Sequence, residues 1–146
     1  MSVGARSFGF MFHPWRRLRG KPEINVTWPV MPDRLGSTNG TTVIRMHPHQ
    51  SQVQRRCTLA HELAHIELGH INGCSPAEDR VAEQYAARWL IEMDDLLDAL
   101  RWAEDMREVA DCLWVDEPTL MARLDGLTAA EKNAIVNLHK ELDRPC

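Results

Sequence analysis

Cys57-Thr58-Leu59-Ala60-His61-Glu62-Leu63-Ala64-His65-Ile66-Glu67-Leu68-Gly69-His70 is the stretch on which the reading of this chain turns. Leu59, Leu63 and Ile66 recur at helical spacing, and Gly69 stands where a helix ends. Residues i and i+4 of a helix share a face, so His61 and His65 can aim both imidazoles at one tetrahedral zinc ion. Glu62 then sits beside the water that such an ion acidifies, which is the place of a general base. The competing structural reading is a pair of histidines that satisfy core polar groups on an ordinary helix.

A catalytic zinc site needs a third protein ligand. His70 is an unsuitable candidate, because nine residues after His61 a continuing helix has carried it to the opposite face. The extended pattern HExxHxxGxxH also fails, since its glycine and last histidine would fall at Leu68 and Ile71. His70 is therefore expected to face away from the metal, near the negative end of the helix. A better source is the next helical run, Glu78-Asp79-Arg80-Val81-Ala82-Glu83-Gln84-Tyr85-Ala86-Ala87. Asp79 and Glu83, four apart, can supply one carboxylate to the metal and a second to orient a ligating histidine. As a plain solvated face near a helix start, the same acids need no metal.

Outward from this region the chain divides into a strand-rich part (1–53), the two metal helices (54–93) and a helical remainder (94–146), with no linker of Pro, Gly or Ser between them. A single domain over 1–146 is expected. Pro14–Leu18 suits a short helix; Ile24–Trp28 and Thr41–Met46 alternate like strands, the second after the tight-turn pair Asn39-Gly40. Asn72-Gly73-Cys74-Ser75-Pro76 reads as a turn, with Ser75 or Pro76 opening a helix through Val81, Tyr85, Trp89 and Leu90. Tyr85 at that spacing is expected in the core. Tyr85, His47, His49 and His139 are the candidates for stabilising an oxyanion, with nothing to choose among them. Val109–Leu124 has the rhythm of a helix-turn-helix, with Trp114 where the tight glycine would stand and breaks near Val115–Pro118 and Gly126–Thr128.

The 146 residues are 44% hydrophobic and 26% charged, a globular composition. The net charge of −4 hides an asymmetry: residues 1–60 carry nine Lys/Arg against two Asp/Glu, and residues 94–127 three against ten. That acidic stretch cannot neutralise phosphates, so direct nucleic-acid binding through the Val109–Leu124 region is not expected, and a structural helical hairpin is. Arg16, Arg17, Arg19 and Lys21 read as a solvated face. No apolar run approaches a membrane span, and Phe8–Phe12 is too short for a secretory signal. Cys57, Cys74, Cys112 and Cys146 form no CxxC pair, which suits reduced thiols and a cytoplasmic location.

The run from Cys57 to His70, followed by Asp79-x-x-Ala82-Glu83-x-Tyr85-Ala86-Ala87-x-x-Leu90-Ile91, resembles the ImmA/IrrE family of metallopeptidases. The elements Pro14–Arg19, Leu35-Gly36 and Val43-Ile44 extend the resemblance over roughly 14–127, toward short stand-alone members in actinobacteria and their phages. It implies an α+β fold with a gluzincin-like core: a small antiparallel sheet, a metal helix and a carboxylate helix. It further implies that His61 and His65 hold zinc and that Glu62 is the catalytic base. The family's third ligand, usually glutamate, matches Asp79 here, and a neighbouring family aspartate matches Glu83, so the two acid types are exchanged. Members of known role cut a helix-turn-helix repressor. The expected function is thus zinc-dependent endopeptidase action on a protein substrate, a transcriptional repressor among the candidates, lying extended along Val43–Met46. The alternative is a non-enzymatic interaction or toxin-like module with an idle metal site.

Overall fold

The computed structural model describes residues 12–71 and 75–143. Phe8–Met11, the Asn72-Gly73-Cys74 part of the expected turn, and Cys146 lie outside the described residues. The fold is α+β. In chain order it runs α1 (Pro14–Arg19), β1 (Asn25–Thr27), β2 (Gly36–Thr38), β3 (Val43–Met46), α2 (Gln52–Glu67), α3 (Pro76–Leu90), α4 (Met93–Trp102), α5 (Met106–Leu113), α6 (Glu117–Asp125) and α7 (Ala129–Leu142). No helix among the described residues is long and apolar enough to cross a membrane.

The sheet has the order β1-β3-β2, and it is mixed rather than antiparallel. β2 and β3 form an antiparallel hairpin, while β1 lies parallel to β3. The cause is the connection after β1. Residues 28–35, with Pro29 and Pro32, carry the chain past β3's place to the far edge, and the hairpin then returns β3 to the middle. Asn39 closes that hairpin: its side-chain Oδ1 accepts hydrogen bonds from the backbone N–H of Thr41, Thr42 and Val43. Gly40 adopts φ +86°, and a Cβ there would run into the carbonyl of His70. The hairpin tip therefore supports the segment that follows α2.

Capping boxes start both central helices: Ser51 with Gln54 for α2, and Ser75 with Glu78 for α3, where Pro76 takes the first helical position. α2 is buried on two flanks. Leu59 and Leu63 pack with Ile24, Ile44 and Met46 under the sheet. Cys57, Ala60 and Ala64 pack on the other flank with Ala82, Ala86 and the apolar faces of α4–α6. The buried face of α3 is thus alanine (Ala82, Ala86, Ala87) up to Leu90 at its end; Val81 and Tyr85 are exposed, contrary to the expectation for Tyr85, whose ring rests against Trp89. Two closely packed helices leave room only for small side chains at their contact.

Val109–Leu124 forms the expected helical hairpin. Trp114 ends α5 in the left-handed conformation (φ 58°), and α6 lies against α3. Arg123, buried, donates to the Ile91 carbonyl and to Glu131, which also accepts from Arg88 and so fixes α7. Those arginines, Arg123 foremost, hold the Glu131 carboxyl far below its usual range. Of the cysteines, Cys57 is a buried free thiol and Cys112 an exposed one.

β2 lies so close to α2 that a Cβ on Gly36 would stand 2.5 Å from Thr58 Cγ2 and 3.3 Å from Glu62 Cγ. Gly36→Ala should therefore destabilise the protein by about 1–3 kcal/mol in denaturant unfolding, as overpacking does. Ser37→Ala, on the opposite face, should stay within about 0.5 kcal/mol. Equal midpoints for Gly36→Ala and wild type would show that β2 is not pressed on α2.

Candidate metal centre

The alanine contact lets the first turn of α3 reach the middle of α2. Asp79 Oδ1 lies 2.9 Å from His61 Nε2 and 3.2 Å from His65 Nε2, and the two imidazole nitrogens are 3.1 Å apart. Three donors of a tetrahedral zinc site with bonds of about 2.0–2.1 Å stand about 3.3–3.4 Å from one another. The observed triangle is a few tenths of an ångström tighter, and small side-chain rotations open it. The donor set, two imidazoles and a carboxylate, suits zinc. Exposure is graded across it: the side chains of His65, His61 and Asp79 are 3%, 22% and 49% exposed, so the group opens to solvent on the Asp79 side. Burial, helped by His61, holds His65 below the usual imidazole range and so keeps it in the neutral form that can ligate a metal.

Glu83, the other candidate for the third ligand, is exposed and stands outside this triangle. It lines a pocket of about 280 Å³ that begins at His61 and Glu62 and continues to Asp116 and Thr119.

His70 does not face away. Its Nδ1 is 3.0 Å from His65 Nδ1, and its Nε2 is 3.8 Å from Glu78 Oε2. Counting 100° per residue fails here because α2 stops at Glu67, and Gly69 (φ +76°) turns the chain back. His70 N then bonds to the carbonyl of His65. The expectation that His70 belongs to the opposite face is therefore corrected. A histidine that binds metal through Nε2 carries its proton on Nδ1, and His70 Nδ1 is placed to accept it.

Glu62 is buried beneath Gly36, at 5% exposure. Burial pushes its carboxyl up to about 7; His61 and Arg34 oppose the rise and Asp79 adds to it. It borders a cleft of about 500 Å³ whose walls include Arg34, Gly36, Thr38, His65 and Asp79. Arg34, which no sequence pattern singles out, is the cation lining this cleft. Tyr85, His47, His49 and His139 line neither the cleft nor the adjoining pocket. β3 is the central strand, with neighbours on both sides, so it offers no edge to an extended chain. The free edge beside the cleft is β2.

A carboxyl whose folded-state pKa exceeds its unfolded value of 4.5 favours folding while protonated. That contribution is complete below the unfolded value and is lost as pH rises through about 7. In metal-free protein, Glu62→Gln should therefore gain about 2–3 kcal/mol of stability over wild type between about pH 5 and about pH 8. Denaturant midpoints at the two pH values check this, and a pH-independent difference would contradict the burial of an ionisable Glu62.

Comparison with curated proteins and with solved structures gave no match. A family model described as the IrrE N-terminal-like domain, Peptidase_M78, matches residues 28–124, about two thirds of the chain, and spans β2, β3 and α2 through α5 with most of α6. The chain accordingly belongs to the IrrE N-terminal-like family of metallopeptidase-type domains.

Proposed function

We propose that this protein is a cytoplasmic zinc-dependent endopeptidase that cuts an extended segment of another protein, with a helix-turn-helix repressor as the substrate class the family suggests. The observation that carries the reading is the convergence of His61, His65 and Asp79 on one point beside a buried glutamate, in a cleft bordered by a free strand edge. His61, His65 and Asp79 would hold the metal. When bound, zinc supplies the Lewis acidity that polarises the scissile carbonyl and lowers the pKa of water.

The chain's own groups perform the rest. Asn39 N donates to Val43 O and His47 N to Leu35 O, so the odd-numbered residues of β2 face β3. By the alternation of an antiparallel ladder, Gly36 and Thr38 then direct their N–H and C=O groups to the free edge, where a substrate strand can pair. Glu62 accepts a proton from the attacking water as its oxygen bonds to the carbonyl carbon. It returns that proton to the departing amine nitrogen as the C–N bond breaks. His70 accepts the Nδ1 proton of His65 and holds that ring in its ligating tautomer.

Glu62→Gln should abolish cleavage of an unfolded reporter such as casein, and of any repressor substrate, while retaining one zinc per chain, because the amide cannot take the proton. Cleavage at the wild-type rate by that variant would refute the enzymatic role. A wild type that binds zinc yet cuts no protein would favour the interaction module.

The ligands separate by zinc retention against a graded chelator. His65→Ala and Asp79→Ala should lose the metal, whereas His70→Ala and Glu83→Ala should keep it, His70→Ala with affinity about 10–100-fold lower. A Glu83→Ala variant that loses zinc more readily than Asp79→Ala would transfer the third ligand to Glu83. Full wild-type affinity in His70→Ala would remove His70 from the site.

A further inference from the structure

Near the start of α2, away from the metal cleft along the helix, a cavity of about 270 Å³ is lined by His13, Trp15, Gln52, Arg55, Arg56 and Trp114. None of these residues lines the catalytic cleft or the adjoining pocket. Arg56 is 5% exposed, and the carbonyl oxygen of Trp114 accepts from its Nη1 at 2.7 Å. Burial holds its guanidinium below the usual value. The adjacent Arg55 has a buried Nε with no hydrogen-bond partner. Among the described residues no carboxylate forms an ion pair with either arginine.

That arrangement contrasts with the other tied-down arginines. Arg123 and Arg88 share Glu131, and Arg17 pairs with Glu67. A buried guanidinium without a counter-ion is unfavourable, and a second, half-buried arginine bordering the same cavity adds like charge. Trp114 adds an independent observation. Its backbone is held at φ 58°, ψ 43°, a region costly for a bulky side chain, and its indole remains 46% exposed beside the cavity with the Arg56 guanidinium 5.8 Å from the ring centroid. Glycine would relieve the backbone at that position and would lose the ring.

We propose that this cavity is a binding site for a small aromatic oxyanion, a carboxylate or a phosphate ester, whose acidic group pairs with Arg55 and Arg56 and whose ring lies against Trp114 and Trp15. The planar guanidinium fork matches either acidic group in a bidentate pair. The indole faces supply flat apolar walls, and the volume suits one ring with its acidic group, below the range of drug-sized pockets. The site needs neither the metal nor the catalytic glutamate, so it stands or falls apart from the peptidase reading.

Titration calorimetry with phenyl phosphate, benzoate and neutral benzyl alcohol tests it, on protein with and without zinc. At least one of the two anions should bind saturably with a dissociation constant in the range of about 1–5 mM, as expected for so few ligand atoms, and benzyl alcohol about tenfold more weakly or not at all. The preferred anion identifies the source of the acidic group. Arg55→Gln should weaken binding about tenfold at an unchanged thermal midpoint. Trp114→Gly should weaken it too, at an equal or higher midpoint. Binding should be the same after zinc is removed. No saturable binding of either anion, equal binding of benzyl alcohol, wild-type affinity in Arg55→Gln, or loss of binding on chelation would each overturn the proposal.

Discussion

The close contact of α2 and α3 governs the rest of this molecule. Ala60 and Ala64 pack in one buried cluster with Ala82 and Ala86, so small side chains dominate where the helices meet. At that distance a side chain as short as aspartate spans from the first turn of α3 to two imidazoles on α2. The Ser75–Glu78 capping box fixes where α3 begins and hence how far Asp79 lies along it. The same Glu78 faces His70, so one residue that starts the helix also borders the outer side of the histidine pair.

With one flank of α2 committed to alanines and another to Leu59 and Leu63 under the sheet, a third flank remains for chemistry. β2 closes over it. Gly36 permits the strand to press on Glu62, which removes that carboxyl from water and raises its proton affinity. The strand that buries Glu62 also supplies the free edge of the cleft. Burial of Glu62 and exposure of a free strand edge thus have a common structural origin. The mixed sheet is what makes it possible, since an order that left β3 at this edge would have placed a longer and bulkier strand over the glutamate.

Charge is used in two ways across the fold. Glu131 neutralises Arg123 and Arg88 and fastens the last helix, and Glu67 draws Arg17 and Lys21 of the N-terminal region to the end of α2. The Glu67 pairs join the basic first part of the chain to the acidic stretch that follows it, which accounts for some of the bipolar charge distribution. Arg55 and Arg56 take no part in that neutralisation, and the strained Trp114 is held beside them.

The sequence by itself determined the helices and the pattern of histidine and glutamate that α2 carries. His61, Glu62 and His65 share a helical face by spacing alone, Ser75-Pro76 announces the start of α3, and Asn39-Gly40 announces the hairpin, because each is a local relation between neighbours. The strand-rich start, the helical remainder and the breaks in the C-terminal half follow from the same local periodicities. Only the tertiary structure decided the rest. Asp79 rather than Glu83 meets the two histidines because the alanine contact sets the height at which α3 crosses α2. His70 returns to His65 because Gly69 ends the helical count. Tyr85 stays at the surface because the helix contact admits only alanines. β2, three residues with no hydrophobic alternation, becomes the edge of the cleft because the proline-bearing 28–35 segment carries the chain past β3. Each depends on how separate segments pack in space, and no spacing along one segment encodes that.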